Sequence, residues 1–404
     1  MKRLLTSIFC FSILISHAQF KADNVKYKTV FPEDLCKTLQ ANPGYVLLDV
    51  RSDGEFNDTM YASPALNIGH IQNALHINIT QLPHRWKELS EYKDKPLFIY
   101  CSHSQRSRRA SRLLADSGFT KVFNINGGLT NFYDQAIESD PCSNYLIQSS
   151  VPYKIVSSKT LLDPKILKSY YIIDLRSDSI FKGIGSERTK TEGRFCDAVN
   201  IPFEKFMSGE AMTFKKPVLL VDEFGDESAK AAAMLYSKGI KDVSILFGGM
   251  DGWKDYVVNN RRPKEVYGCN PQTLGYSFIS GDQLNQFAGK QKTTIIDVRS
   301  KEEFSNTSKN YFQNIGQVKN AINIPAKEIK TSSLLPASKD QNIIVYGFNS
   351  QPEIFESAKA LKDLGYKNVY ILHGGIWRLR WASHNLKNKM YLNDFVVNVP
   401  AENE

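Results

Sequence analysis

Pro96-Leu97-Phe98-Ile99-Tyr100-Cys101-Ser102-His103-Ser104-Gln105-Arg106-Ser107 reads as a short apolar strand, a polar loop with one cysteine, and the start of a helical pattern. The same plan recurs as Pro217-Val218-Leu219-Leu220-Val221-Asp222-Glu223-Phe224-Gly225-Asp226-Glu227-Ser228 and as Asn342-Ile343-Ile344-Val345-Tyr346-Gly347-Phe348-Asn349-Ser350-Gln351-Pro352. Upstream of each copy a second strand ends in an acid and a base: Asp49-Val50-Arg51, Asp174-Leu175-Arg176 and Asp297-Val298-Arg299. Asn-Ile elements follow at Asn78-Ile79, Asn200-Ile201 and Asn323-Ile324. Downstream, helix-like stretches end in Gly118, Gly239 and Gly365, the residue type that closes a helix in the left-handed conformation without a Cβ penalty. A further strand then runs into Gly127-Gly128, Gly248-Gly249 or Gly374-Gly375, with Phe132, Trp253 or Trp377 a few residues on.

Recurrence at a spacing of about 120 to 125 residues is the size of one domain. Continuous apolar strands alternating with amphipathic helices indicate a parallel sheet covered on both faces. The sequence therefore predicts an α/β protein of three tandem domains, residues 25–138, 153–258 and 276–388, each a parallel sheet flanked by helices. Ser139 to Pro152 and Asn259 to Gly275 read as linkers.

With 404 residues, 42% of them hydrophobic, and no low-complexity tract, the chain can form three packed cores without disulfide support. Lys2-Arg3, an apolar stretch from Leu4 to Ile15 and Ser16-His17-Ala18 form a secretory signal pattern over residues 1–18, its core too short to span a bilayer. The reading is an exported protein, periplasmic in a Gram-negative bacterium and otherwise secreted, with no membrane association after cleavage. Cleavage leaves Cys36, Cys101, Cys142, Cys196 and Cys269, an odd number, so at least one thiol lies outside any intramolecular disulfide. Cys101 is the candidate free thiol; the other four pair or remain small buried residues. The net charge of +9 is spread over all three copies without a long basic run, which argues for a solvated surface and against nucleic-acid binding.

In open parallel sheets ligands bind beyond the carboxyl ends of the strands, where Cys101 stands, directly before a helix predicted over Ser107 to Ser117. Loop and first-turn amides can converge there on an anion, and the thiolate is the attacking form of cysteine. Arg106, Arg108, Arg109 and Arg112 crowd the start of this helix, where cations oppose its dipole unless an anion lies close by. The two sister loops, under similar packing demands, have no cysteine.

With Glu55-Phe56, Gly69-His70-Ile71-Gln72-Asn73-Ala74, the Cys101-to-Arg106 loop and Gly127-Gly128, the first copy resembles the rhodanese family of sulfurtransferases, and the resemblance covers nearly all of the chain beyond the signal segment. It implies ping-pong chemistry in which the Cys101 thiolate takes the outer sulfur of thiosulfate or a similar donor as a persulfide and passes it to cyanide or a thiol. On that resemblance Cys101 is catalytic, Arg106 holds a small anionic donor, the amides from Ser102 to Ser107 cradle the persulfide, and Ser102, His103, Ser104 and Gln105 shape specificity. No cofactor and no metal are implied. Ser104 stands where many members have glycine, a substitution that bears on the loop's backbone. His70 and Asp49 are candidates for the rim of the site, although His70 reads more readily as a packing residue. Asp49 and Arg51 recur in the copies without cysteine and so read as fold-maintaining, with ion pairs expected from Arg51 to Glu55 and from Arg299 to Glu303. Ile180 takes the equivalent place in the second copy.

Asp222 and Gly347 replace the cysteine in the second and third copies, which the resemblance makes structural, docking or partner-binding modules. The acidic turn Glu223, Asp226, Glu227 suits a helix N-terminus by itself. A persulfide carrier or partner-binding scaffold without turnover is the alternative reading. A phosphatase or arsenate reductase is disfavoured, because only four residues separate Cys101 from Arg106, fewer than in the related cell-cycle phosphatases.

Overall fold

The computed structural model describes residues 26–136, 146–190, 193–209, 213–260, 269, 275–287 and 292–400. The signal pattern, Cys142 and much of both linkers lie outside the described residues. Three five-stranded sheets are present, one per repeat. The first comprises Lys28–Val30, Val46–Asp49, Leu75–His76, Leu97–Tyr100 and Val122–Ile125. The second comprises Lys154–Val156, Tyr171–Asp174, Val199–Asn200, Val218–Val221 and Val243–Leu246. The third comprises Ser277–Ile279, Thr293–Asp297, Ala321–Asn323, Asn342–Tyr346 and Asn368–Leu372. Every one has the spatial order first, fifth, fourth, second, third, and all these strands pair in parallel. The chain is an α/β protein of three such units.

The central strands are buried on both faces, as their unbroken apolar runs require. Leu97, Phe98, Ile99 and Tyr100 in the first domain have no exposed surface, and Val218 to Val221 and Ile343 to Tyr346 match them. Asp49 pairs in register with Tyr100, Asp174 with Val221 and Asp297 with Tyr346, so each acid lies beside the strand that feeds the loop.

The expected Arg51–Glu55 and Arg299–Glu303 ion pairs do not form. Residues i and i+2 of extended chain share a face, so each arginine folds back onto the preceding aspartate. Arg51 Nη2 lies 2.7 Å from Asp49 Oδ2, Arg176 Nη2 2.6 Å from Asp174 Oδ2 and Arg299 Nη2 2.7 Å from Asp297 Oδ2. The same nitrogens donate to the carbonyl oxygens of Gly69, Gly193 and Gly316. Removing one partner of such a buried pair costs about 3–5 kcal/mol, which accounts for its presence in all three copies.

Each domain's outgoing chain then returns to the segment after this glycine. His70–Ile71 pairs antiparallel with Ile147–Gln148, and Gln317–Val318 with Val396–Val397. Gly69 and Gly316 have φ of +72° and +81°, and a Cβ on either would meet the returning strand's backbone within 2.5 Å. In the second domain a covalent link does this work: Cys269 N donates to Arg194 O, and Cys196 is disulfide-bonded to Cys269 across 73 residues. Cys36 is also disulfide-bonded, and Cys101 is free among the described cysteines.

The domains close on one another head to tail. The residue before each Gly-Gly pair meets the terminal helical segment of another domain. Phe247 stacks on Tyr133 at 5.1 Å, His373 Nε2 lies 3.3 Å from Asp255 Oδ1, and Asn126 Nδ2 donates to the His384 carbonyl. Domain 2 thus meets domain 1, domain 3 meets domain 2, and domain 1 meets domain 3. The same kind of surface used three times with a rotation that closes makes a ring of pseudo-threefold character. Further contacts join the same pairs: Asp226 accepts from Ala65 N at 2.9 Å, Arg378 reaches Asp255 at 2.7 Å, and Lys387 reaches Asp34 at 2.6 Å.

Candidate active site

Cys101 follows the last residue of the strand Leu97–Tyr100 and is 1% exposed. The helix beyond it spans Gln105–Asp116, two residues earlier than its sequence pattern indicates. Its start is set by Ser104, which takes φ +82°, ψ −28° and turns the chain into the helix, while the Ser104 N–H donates to the Cys101 sulfur at 3.1 Å. Ser107 Oγ lies 3.6 Å from the same sulfur and donates to the Ser104 carbonyl. A hydroxyl rotates freely, so Ser107 can accept from the thiol or donate to a thiolate. The glycine pair supports the loop from behind: Leu129 N and Thr130 N donate to the Cys101 and Ser102 carbonyls, at 2.9 and 3.0 Å. A Cβ on Gly128, whose φ is +60°, would lie 2.2 Å from the Cys101 carbonyl oxygen.

Arg106 does not project alone into the site. Its Nη1 and Nη2 reach Glu55 Oε2 and Oε1 at 2.5 and 2.7 Å, and Nη2 also donates to Ser102 Oγ at 2.7 Å. Burial by itself would raise the Glu55 carboxyl, but the Arg106 hydrogen bonds and charge, helped by Ser52, outweigh it and hold Glu55 at about 2. Glu55 is fixed by a capping box with Ser52 at the start of the helix Asp53–Phe56. It is therefore the anion near the helix N-terminus that the arginine cluster calls for. The cluster itself is divided: Arg108 Nη2 turns to Asn126 Oδ1 at 2.7 Å and to the His384 carbonyl at 3.0 Å, while Arg109 is exposed.

Ser102 is buried, with its Oγ 2.9 Å from His103 Nδ1. His103 Nε2 lies 3.2 Å from Thr130 Oγ1, and Gln105 is exposed. The cavity where the domains meet, about 850 Å³, is bordered by His103 and Thr130 of the first domain, Phe224 of the second, and Phe348 and Asn349 of the third. All three loops thus face a common space. The two rim candidates lie elsewhere. Asp49 has no exposed surface and is committed to Arg51, while the His70 ring stacks on Phe56 at 4.2 Å with Nδ1 3.0 Å from the Phe56 carbonyl. Among the described residues no group of three or more His, Cys, Asp or Glu could hold a metal.

The sequence places Glu55 beside Arg51, whereas the fold gives it to Arg106; the Ser52-x-x-Glu55 spacing marks only the capping box that fixes the carboxylate. Asn126 and Thr130, which hold the loop from the next strand and turn, have no sequence signal of their own.

The rhodanese-like domain family matches residues 32–135, 158–256 and 280–379. A tRNA uridine(34) hydroxylase of Cronobacter sakazakii is 30% identical over 129 residues, which are 29% of this chain and 34% of that protein. The uncharacterized protein YqhL of Bacillus subtilis is 35% identical over 105 residues, 24% of this chain and 74% of that one. The chain thus spans about a third of the length of the hydroxylase that it matches. Among solved structures, a rhodanese-related protein from Thermoplasma volcanium has 29% identity and a TM-score of 0.21, covering 26% of this chain and 90% of that one. A thiosulfate sulfurtransferase from Pseudomonas aeruginosa has 14% identity and a TM-score of 0.23, covering 94% and 69%. With three matched segments in the order and places of the three sheets, this chain belongs to the rhodanese family as three tandem rhodanese-like domains.

Proposed function

We propose that the chain is an exported sulfurtransferase that moves a sulfane sulfur from thiosulfate or a similar donor to cyanide or a thiol through a persulfide on Cys101. Membership of the rhodanese family supports sulfur transfer in general. The observation that carries the specific reading is the Cys101 cradle, in which a free cysteine at a strand end receives the Ser104 N–H at 3.1 Å with Ser107 Oγ in reach.

The Cys101 thiolate attacks the outer sulfur of thiosulfate, the sulfur–sulfur bond breaks, and sulfite departs with the electron pair. The acceptor then attacks the outer sulfur of the persulfide, that bond breaks, and the thiolate returns. No outside oxidant or reductant is needed. Ser104 N–H and Ser107 Oγ stabilise the anionic sulfur in both states, and Arg106 orients an anionic donor to the extent that Glu55 releases it. The signal pattern supports export, and so do the Cys196–Cys269 disulfide and the disulfide-bonded Cys36, since such bonds persist in oxidising compartments.

The full Glu55 pairing of Arg106 favours one second reading, a persulfide carrier with little turnover on small anions. Intact-mass analysis after thiosulfate and then cyanide separates the two. Gain of one sulfur on the wild type and not on Cys101→Ser, with repeated thiocyanate release, supports the enzyme. Gain without turnover supports the carrier, and gain on Cys101→Ser refutes both.

A further inference from the structure

Ser104 carries a Cβ yet its backbone lies in the left-handed region, at φ +82°, a conformation disfavoured for L-residues that needs local support. Its hydroxyl supplies part of that support, accepting from Gly127 N and donating to Asn126 Oδ1 at 3.1 Å. Asn126 has no exposed surface and is itself held at both ends. Its Oδ1 also accepts from Arg108 Nη2, and its Nδ2 donates to the carbonyl of His384, to which Arg108 Nη2 donates as well.

His384 belongs to domain 3, in the last turn of the helix Gly375–Asn385. The final carbonyls of a helix have no intrahelical partner and require donors from elsewhere. Here domain 1 supplies them, and Asn131 Nδ2 adds a third to the Asn385 carbonyl at 3.3 Å. A continuous path of hydrogen bonds therefore runs from the end of a domain 3 helix through Asn126 and Ser104 to the Cys101 sulfur. Among the described residues domain 2 shows no such path, and it needs none: Gly225, at φ +101°, stands in place of Ser104, and Phe247, in place of Asn126, is spent on the ring stack with Tyr133.

We propose that the cysteine-less third domain is a positioning module for the Cys101 loop, acting from the His384 carbonyl through Asn126 to anchor Ser104, and with it the left-handed turn of the loop, where its N–H meets the sulfur. The role in sulfur transfer rests on the function proposed above; the effect on the loop does not.

The test uses the full chain and two readouts: the rate at which iodoacetamide alkylates Cys101, followed on its peptide by mass, and kcat and KM for thiosulfate and cyanide. Asn126→Asp is nearly isosteric, keeps an acceptor toward Ser104 and sets an oxygen against the His384 carbonyl; Asn126→Ala removes both links. Each is expected to slow alkylation and lower kcat by about tenfold, the size of one lost hydrogen bond, with amide exchange in the domain 2 helix Asp226–Ser237 unchanged. Ser104→Gly, which takes the left-handed conformation unaided, should restore both readouts to within about threefold of wild type when combined with either variant. A general loss of structure would not be rescued in this way. Wild-type rates in both single variants, or double variants as slow as the singles, would overturn the proposal. If either Asn126 variant does not fold, Arg108→Met with and without Ser104→Gly repeats the test from the other donor. Rescue of alkylation without sulfur transfer by any form, wild type included, leaves the positioning role standing and removes the proposed function.

Discussion

The Cys101 and Asp222 loops occupy the same place in two domains and have nearly the same frame, yet they hold opposite chemistry. Cys101 Sγ receives the Ser104 N–H and faces Ser107 Oγ; Asp222 receives Gly225 N at 2.9 Å, Glu227 N at 2.9 Å and Ser228 Oγ at 2.6 Å. Burial pushes the Asp222 carboxyl above its ordinary value, and those three donors pull it partly back. The cradle of domain 2 is thus filled from within by a carboxyl group, and an arriving anion would find its donors engaged. The second difference is a matched pair. Glu55 and Arg106 of domain 1 become Ile180 and Glu227, so both members of the ion pair change together. In domain 3 Glu303 remains while Pro352 stands for the arginine, and Glu303 only caps its own helix. The contrast teaches that the donor geometry belongs to the fold, whereas the sulfur and the Arg106–Glu55 pair belong to one domain.

Exchanging the two residues tests that contrast most severely. Cys101→Asp should fold, because the cradle accepts a carboxyl group in domain 2, and should lose sulfur transfer to background, a drop of at least about a thousandfold as for other covalent nucleophiles. Asp222→Cys should give a thiol that alkylates, held by Gly225 N and Ser228 Oγ, but one that does not turn over thiosulfate, because Glu227 and Glu223 repel the donor. Thiosulfate-dependent thiocyanate release decides it: activity in Asp222→Cys/Cys101→Ser comparable to wild type would show that the cradle alone suffices.

The ion pair should dominate a smaller, pH-dependent difference between the domains. Glu55 lies at about 2 in the folded protein, below its ordinary 4.5, so its contribution to stability is complete above pH 4.5 and is lost as pH falls toward 2. At about 1.4 kcal/mol per unit this is roughly 3 kcal/mol, reduced where solvent reaches the Arg106 side of the pair. Glu55→Gln should remove most of that dependence in urea unfolding between pH 5 and pH 2, compared with wild type under the same conditions. The same variant frees the Arg106 charge and should lower KM for thiosulfate. An unchanged acid limb together with an unchanged KM would mean that Glu55 neither stabilises domain 1 nor competes with the donor.

The threefold plan, the sheet class and the isolated position of Cys101 were legible because they rest on local pattern: apolar runs, glycine at helix ends and one polar loop compared with its sisters. Sequence proximity points from Arg51 to Glu55, whereas strand geometry places Asp49 on the same face as Arg51. Head-to-tail closure of the domains was not legible at all. It depends on Asn126, Phe247 and His373, three unlike side chains at one repeat position that use a hydrogen bond to a carbonyl, a ring stack and an imidazole–carboxylate contact for the same junction. The Cys196–Cys269 link shows the same thing. A disulfide in domain 2 replaces the short antiparallel pairing of domains 1 and 3, and no residue-by-residue alignment equates them.

The smallest predicted effect comes from the loop backbone and runs in one direction only. Gly225→Ser should destabilise domain 2 by about 1–2 kcal/mol, the cost of a Cβ in the left-handed region, because Phe247 offers the new hydroxyl no acceptor where domain 1 has Asn126. The added Cβ would lie 3.4 Å from the Ala65 Cβ, an ordinary contact, so the cost is one of backbone conformation and not of crowding. Ser104→Gly in domain 1 removes that cost together with the hydroxyl's bonds to Gly127 N and Asn126, two terms of similar size, and should change stability by less than about 1 kcal/mol. Amide hydrogen exchange in the helices Gln105–Asp116 and Asp226–Ser237 reads the two domains separately. Faster exchange confined to the second helix in Gly225→Ser, with the first unchanged in Ser104→Gly, is the expected result. Slower exchange in the first helix in Ser104→Gly, a gain as large as the loss in Gly225→Ser, would show that the surroundings of Ser104 give it no support that domain 2 lacks.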